Sequence, residues 1–492
     1  MDEEKATKVQ IENITKDQTE HQKKNSPKKR VTPSEWIKNH QFIYTIIIAV
    51  IGGVLTEGGL WLIHITKDAI NNDSTPYITF KSNNMQVFHL SKVVSTLEYS
   101  VGDGRWKSLK KQNVVFGGDA GNLFLRGNSK IGTDGATISF DTKENVICIG
   151  DIRTLVDYKH YDKAETSQAR FSKLFNGCQQ LVTAPKLPSL DLAEWCYSSM
   201  FSGCTSLKTA PELPAETLAK GCYSKMFSGC TSLEDAPELP ADSLTYDCYS
   251  EMFSCCFSLQ NAPELPATIL AAECYSYMFN SCTSLKFAPK LPAKELATNC
   301  YRGMFSCCTS LLQSAPELPA EKLAENCYTY MFNGCTSLKE APVLSANNLA
   351  EYCYCGMFKG CTSLKYGPSL PAENLTQGCY SGMFFGCTSL KYRILKKLEY
   401  PLFHETYIVT TLKLPAKRLA VDCYSNMFKG CTSLSEITIL ATDIEVAHCL
   451  EDWLDGTSQY GTFYKNIDAE WEKDDIIPEG WDVELIDSEK KN

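Results

Sequence analysis

Histidine is scarce in this chain of 492 residues. There are only seven, at His21, His40, His64, His89, His160, His404 and His448. Catalysis by a Ser–His or Cys–His pair needs a histidine beside the nucleophile. The sequence also contains no phosphate-binding loop, no dinucleotide fingerprint and no H-E-x-x-H helix. These absences indicate a protein that is not an enzyme and that carries no cofactor.

Positive charge is also in short supply beyond the N-terminal tail. The chain has 48 Lys and Arg against 58 Asp and Glu, a net charge of -10. Residues 1–40 hold nine basic and seven acidic residues, so all the excess negative charge follows them. An acidic body argues against nucleic acid as a partner.

A dipeptide, Met-Phe or once Leu-Phe, recurs over about half of the chain. It begins at Leu174, Met200, Met226, Met252, Met278, Met304, Met331, Met357, Met383 and Met427. Successive copies start 26 positions apart, except for one interval of 27 and one of 44. A fixed period of this size predicts a solenoid, in which each coil buries its apolar face on its neighbours.

The stretch Gly221–Leu244 shows what one coil contains. Apolar residues lie 3, 4, 7 and 8 positions after Ala219, which predicts a short helix, weakened by the glycine at position 221. The following TSLEDA predicts a short strand, and Pro237 and Pro240 predict a turn. Strands of successive coils are expected to lie parallel, about 4.8 Å apart.

The repeated string MF-x-G-C-T-S-L-x-x-A-P-x-L-P-A-x-x-L resembles the BspA-type leucine-rich repeats of bacterial surface proteins. The resemblance covers Phe171 to Ile439. It implies an α/β fold, a right-handed leucine-rich-repeat solenoid with coils of about 26 residues, the length of the repeat. It also implies a role in adhesion or ligand binding.

The segment before the repeats predicts a membrane anchor. Residues 1–41 are polar and predict a disordered tail. The 24 residues of Phe42–Ile65 are mainly apolar and long enough to span a bilayer. A basic block (Lys23, Lys24, Lys28, Lys29, Arg30) precedes them, which predicts a cytoplasmic N-terminus and an extracytoplasmic remainder, in the periplasm or at the cell surface. A cleaved signal peptide is the competing interpretation.

Two further regions flank the solenoid. Residues 76–158 contain seven short alternating runs between turn residues, which predict a small all-β domain: YITFKSN, MQVFHL, TLEYSV, NVVFGG, NLFLRG, ATISF and NVICIG. Residues 440–486 contain a helical pattern at Asp443–Leu454 and two strand-like runs. They predict a C-terminal cap that covers the last coil.

Two places are candidate binding sites. The first is an 18-residue insertion, Arg393–Thr410, which carries Lys396, Lys397, Tyr400, Phe403, His404 and Tyr407. It predicts either a projecting binding loop or a hairpin packed on the coil below. The second is a column of tyrosines at one position of each coil, including Tyr223, Tyr249, Tyr275, Tyr301 and Tyr328. These side chains either pack in the core with wet hydroxyl groups or form an exposed binding stripe.

Cysteine is abundant, and most of it follows the repeat. Nineteen of the 24 cysteines fall in two columns, one before the tyrosine and one after the Met-Phe pair. The two cysteines of one coil are eight residues apart, which is not the spacing of a zinc site. We therefore expect no metal, and we expect the thiols to be mostly buried and unpaired.

Two hypotheses for function remain. The chain is a membrane-anchored extracytoplasmic protein whose solenoid binds a protein or a glycan. Alternatively, it is a structural spacer or assembly module of the cell envelope without a soluble ligand.

Overall fold

Short antiparallel strands form the first part of the fold. The computed structural model describes residues 76–110, 113–310, 315–391, 393–394, 409–410, 412–472 and 476–487. The first strands are β1 (Ile78–Lys81), β2 (Gln86–Leu90), β3 (Glu98–Val101), β4 (Lys107–Ser108), β5 (Val114–Phe116), β6 (Leu123–Arg126), β7 (Ile138–Phe140) and β8 (Val146–Ile149). One sheet contains the order β4-β3-β6-β1-β8, and the other has the order β5-β2-β7. Each of the seven predicted runs contains one of these strands. Three short 3₁₀-helices also occur, at Gly118–Ala120, Ile152–Leu155 and Tyr161–Lys163.

This β region is not a separate domain, because it shares a sheet and a core with the solenoid. Strand β8 pairs in parallel with β9 (Leu181–Thr183), which belongs to the first coil. The N–H of Ile138 donates to the carbonyl of Leu174, and the Sγ of Cys178 lies 2.7 Å from the carbonyl oxygen of Ile138. One continuous hydrophobic cluster runs from Ile78 to Trp481. The β region therefore covers the exposed edge of the first coil.

The coils contain overlapping turns where the sequence predicted a short helix. No α-helix occurs in the described residues. In Gly221–Cys230 every fourth residue has a positive φ: Gly221 (59°), Lys225 (56°) and Gly229 (75°). Backbone N–H groups alternate between two directions. That of Ser224 donates within the coil to Gly221 (3.2 Å), while that of Tyr223 donates to Cys248 of the next coil (3.1 Å). We call the corresponding stretch of each coil its turn segment.

The helix prediction was wrong because the apolar pattern has a period of four residues. Apolar pairs recur as Cys222–Tyr223 and Met226–Phe227, followed by Cys230. A helix of 3.6 residues per turn would rotate each successive pair by about 40° away from the previous one. A left-handed residue at every fourth position changes the direction of the backbone, so that all the apolar pairs lie on one face. It also gives half of the N–H groups to the neighbouring coil, where they hold the stack together.

The predicted strands are mostly reduced to single parallel bridges. Thr209 pairs with Asp235, Asp235 with Asn261, and Asn261 with Phe287. The prolines that follow lack an N–H group and cannot extend the pairing. Besides the β8–β9 pair, the described residues contain a second group of parallel strands toward the end of the chain, where the sequence has no proline in the strand. They are β12 (Lys413–Leu414), β13 (Glu436–Ile439), β14 (Gly461–Asn466) and β15 (Trp481–Ile486), which form one sheet in that order.

The insertion leaves the stacking of the coils unchanged. Its two ends form the antiparallel pair β10 (Arg393–Ile394) and β11 (Val409–Thr410). On either side of it, Phe384 and Phe428 stack with ring centroids 5.6 Å apart. Phe332 and Phe358, in two coils without an insertion, are 5.8 Å apart. The solenoid is therefore continuous across this point.

The C-terminal segment adds another coil where a cap was predicted. The N–H of Phe428 donates to Trp453, which stands one repeat interval after Met427, and that of Tyr424 donates to Cys449. His448, Asp452 and Gly456 have positive φ, as do Asp422, Asn426 and Gly430 in the preceding turn segment. The predicted helix at Asp443–Leu454 is therefore one more turn segment, in which Trp453 and Leu454 replace Met and Phe. The two predicted strand runs are β14 and β15.

Candidate binding surfaces

The tyrosine column lies in the core and presents no exposed stripe. The side chains of Tyr223, Tyr249, Tyr275, Tyr301 and Tyr328 are each at most 2% exposed. Successive rings stack nearly parallel, with centroids 5.8–5.9 Å apart and interplanar angles of 3–10°. Burial raises the pKa of each of these phenols well above its ordinary value. The rings are therefore packing elements, and no glycan or peptide can stack on them while the coils are closed.

The hydroxyl groups of this column were expected to be wet, but two of them are buried. Within the described residues, the Oη atoms of Tyr249 and Tyr301 have no hydrogen-bond partner. At the start of the column, the hydroxyl of Tyr197 donates to Ser189 Oγ at 3.3 Å. A buried unpaired hydroxyl costs about 1–3 kcal/mol, which the stacked rings must offset.

The second cysteine column joins consecutive coils. The thiol of Cys230 donates to the carbonyl of Phe201 at 3.0 Å, and that of Cys282 donates to Phe253 at 3.1 Å. Burial raises the pKa of both thiols to about 12, so that they remain protonated donors. All 24 cysteines are unpaired, and all but Cys255, Cys307 and Cys355 are buried. The columns are therefore structural and contain no activated nucleophile.

A row of half-exposed aromatic rings on the turn segments escaped the sequence analysis. Each ring covers a glycine of the next coil. A Cβ atom on Gly303 would lie 2.2 Å from the ring of Tyr277, and one on Gly378 would lie 2.2 Å from the ring of Tyr352. Trp195 covers Gly221 and Tyr330 covers Gly356 in the same way. The signal was present in the sequence, because each aromatic residue is followed by glycine one repeat interval later.

The insertion that was predicted to bind a partner is described only at its two ends. Lys396, Lys397, Tyr400, Phe403, His404 and Tyr407 lie outside the described residues. The antiparallel pair at Arg393–Ile394 and Val409–Thr410 brings the two ends of the insertion together. The insertion therefore leaves and re-enters the coil at one place, which both a projecting loop and a packed hairpin require.

One histidine in the β region resembles part of a catalytic triad but lacks its geometry. Ser139 is the cross-strand partner of His89. The Nδ1 of His89 lies 2.9 Å from Asn113 Oδ1, and its Nε2 lies 2.5 Å from Asp141 Oδ1. Both ring nitrogens are thus engaged by other groups, and neither can take a proton from Ser139. No group of three or more metal-ligating side chains was found in the described residues.

The predicted membrane span, 42–65, also lies outside the described residues. In the part of the chain that the structure describes, no helix is long and apolar enough to cross a bilayer.

Comparisons with known proteins agree with the repeat architecture. The family model described as "BspA type Leucine rich repeat region (6 copies)" matches residues 171–286, 201–339, 248–391 and 357–448, which together span more than half of the chain. A search of the solved structures found the crystal structure of a leucine-rich repeat protein from Bacteroides ovatus, 18% identical in sequence. That match covers 64% of this chain and 86% of the other, with a TM-score of 0.29. No curated protein matches.

Proposed function

Because the chain belongs to the BspA-type leucine-rich-repeat family, we propose that it is a membrane-anchored, extracytoplasmic binding protein whose ligand is a protein or a glycan. The observation that carries the proposal is the regularity of the coils. Their apolar residues are committed to stacking, which leaves an outer surface free for recognition. Repeat proteins with such surfaces generally bind other macromolecules, and the family is generally not enzymatic.

The binding site that we propose is the insertion Arg393–Thr410. Coils of one repeat present many nearly equivalent surfaces, so a specific contact is expected where the regularity ends. The insertion adds aromatic side chains and lysines, which are common anchors in recognition. Phe384 stacks on Phe428 across the insertion, which supports the proposal that the packing of the coils does not depend on the insertion.

The test is to screen the full-length protein against glycan and matrix-protein arrays and to repeat the screen with residues 393–410 deleted. The deletion restores the normal coil length, so we expect an unchanged melting temperature and loss of binding to any array hit. A matched control replaces only Lys396, Lys397, Tyr400, Phe403, His404 and Tyr407 by alanine and should lose the same hits. Arrays without any hit, or a deletion that still binds, would count against this assignment.

The alternative function is that of a spacer or assembly module in the cell envelope. A deletion of residues 222–299 distinguishes a spacer from a binding surface on the coils, because it removes three whole coils, joins Gly221 to Cys300 in register and leaves the insertion intact. A spacer tolerates this shortening in a cell-based assay, whereas a ligand-binding surface built on those coils does not.

The membrane anchor needs its own test. We expect the protein to fractionate with membranes and to resist extraction at high salt and high pH. Removal of residues 42–65 should release it. A full-length chain that fractionates as soluble protein would refute the anchor and leave the binding proposal standing.

A further inference from the structure

The C-terminal end of the solenoid has an open sheet edge. Strand β15 is the last of its sheet, and no strand of the described residues pairs with its outer side. The N–H of Ile467 donates to the carbonyl of Ile486, so the peptide groups of even-numbered residues in β15 face β14. By alternation, the N–H and C=O groups of Val483 and Leu485 face outward. These side chains are 40% and 61% exposed, so the edge is accessible.

The turn side of the same end is also incomplete. In every earlier coil, alternate N–H groups of the turn segment donate to the following coil, as Gly430 does to Asp455 (2.7 Å). In the part of the chain that the structure describes, no further coil follows the last turn segment. Within the described residues, the N–H groups of Leu450 and Leu454 have no acceptor, although both residues are at most 6% exposed. Buried backbone donors rarely stay unpaired, so this end is suited to a further polypeptide.

Charge selects the kind of polypeptide. Residues 440–487 carry fourteen Asp or Glu and only two Lys, a net charge of -12, which exceeds that of the whole chain. On β15 itself, exposed Asp482 and Glu484 alternate with Val483 and Leu485. A strand added to this edge would meet carboxylates on one face and apolar side chains on the other. Its complement is a segment in which basic and apolar residues alternate.

A groove adjoins this edge. It has a volume of about 710 Å³ and is lined by Asp452, Asp455, Tyr460 and Glu479, among others. Tyr460 is 68% exposed. Asp452 and Asp455 already pair with Lys429 Nζ at 2.9 and 3.2 Å. A lysine or arginine side chain from a bound segment would meet the carboxylate of Glu479 and the ring of Tyr460 there.

We propose that the C-terminal end of the solenoid, consisting of β15 and the turn segment 448–456, is a docking site for a basic, extended segment of a partner protein. The segment adds to β15 as a new edge strand. Main-chain hydrogen bonds to Val483 and Leu485 give affinity, and Asp482 and Glu484 select the basic residues. The proposal rests on the chain being a binding protein, but it does not involve the insertion.

A second copy of the chain fits this edge less well. In an antiparallel pair of two β15 strands centred on Val483, Asp482 of one copy would face Glu484 of the other. Like charges directly opposite each other destabilise a sheet, and acidic edge residues prevent such self-association.

The experiment measures binding of a fluorescent decapeptide of alternating Lys and Val to the full-length protein by fluorescence anisotropy. Two peptides of equal length serve as controls: alternating Glu and Val, and alternating Lys and Pro, which keeps the charge but lacks half the N–H groups. We expect binding of the Lys–Val peptide alone. The double variant Asp482→Lys, Glu484→Lys should raise its Kd at least tenfold. The matched double variant Glu212→Lys, Glu238→Lys has the same net charge, and its Kd should stay within threefold of the unmodified protein.

Val483→Pro tests the edge directly, because it removes an outward N–H group without removing a hydrogen bond to β14. It should abolish binding, while Val483→Ala should retain most of it; melting curves check that both variants fold. Equal binding of the Lys–Pro peptide would show simple charge attraction and overturn the proposal, as would absence of binding. A dimer in sedimentation that Val483→Pro dissociates would make a second copy the occupant and also overturn it. None of these results bears on the insertion, whose deletion is scored on different ligands.

Discussion

Two glycines allow the packing of aromatic rings on the turn segments to be measured. Gly303 and Gly382 occupy the same position of their coils and have nearly equal φ, 57° and 56°. They differ in their surroundings. A Cβ atom on Gly303 would lie 2.2 Å from the ring of Tyr277, whereas one on Gly382 would meet no atom within 4 Å. The pair Gly303→Ala and Gly382→Ala therefore separates backbone strain from ring displacement.

The expected losses in the free energy of unfolding follow from these distances. A left-handed residue with a Cβ atom costs about 1–2 kcal/mol, partly offset by about 0.4–1 kcal/mol from the stiffer unfolded chain. Both variants carry this cost. Carbon atoms in contact are about 3.5–4.0 Å apart, so the ring of Tyr277 must also move by more than 1 Å in Gly303→Ala. Overpacking of this kind costs about 1–3 kcal/mol, which is the difference that we expect between the two variants.

The assay is urea unfolding followed by far-UV circular dichroism, with a double-mutant cycle as the control. In a Tyr277→Ala background the obstruction is absent, so Gly303→Ala should then cost the same as Gly382→Ala. If the two single variants lose equal stability, or if removal of Tyr277 fails to relieve Gly303→Ala, the ring does not cover the glycine and the account of the turn segments is incorrect.

Two further predictions concern the cysteines. A thiol-specific alkylating reagent at pH 8 should modify Cys255, Cys307 and Cys355 first in the folded protein, and all 24 after unfolding; rapid modification of more than these three would contradict the buried columns. Alkali should unfold the protein cooperatively. The pKa of thiols such as Cys230 and Cys282 rises from 9.0 to about 12 on folding, so their stabilisation is complete below pH 9 and is lost as the pH rises toward 12. At pH 10 each such thiol lowers the free energy of unfolding by about 1.4 kcal/mol. The loss from several thiols together approaches the whole stability of a typical folded protein, about 5–15 kcal/mol. A circular-dichroism titration that stays flat to pH 11 would refute this reasoning.

Several features of the fold could be predicted from the sequence because they depend on spacing alone. The fixed repeat period requires each coil to stack on the next. Identical side chains at one position of successive coils must then meet, as the columns of Tyr, Phe and Cys do. Seven of the eight strands of the β region follow from alternation, which places every second side chain in the core, as in β2 at Phe88 and Leu90.

The conformation within a coil depended on contacts that no single coil contains. The pattern of Cys222, Tyr223, Met226 and Phe227 is compatible with a helix as long as its hydrogen bonds must close locally. In the stacked structure the next coil accepts half of the N–H groups, and the chain then adopts turns with a left-handed residue at every fourth position. The burial of the tyrosine column followed from the same cause. Because the turns place paired residues on one face, Tyr223 and Phe227 both point inward, and no stripe is left outside.

The sequence by itself therefore determined the repeat, its length, the identity of the stacked columns and the family. Only the tertiary structure decided that the coils contain turns, that the β region and the first coil share a sheet, and that the C-terminal segment is one more coil with an open edge. The physical reason is that backbone hydrogen bonds between coils join residues a whole repeat apart in the chain. The conformational propensity of a single coil does not include those hydrogen bonds, although they determine the backbone conformation of each coil.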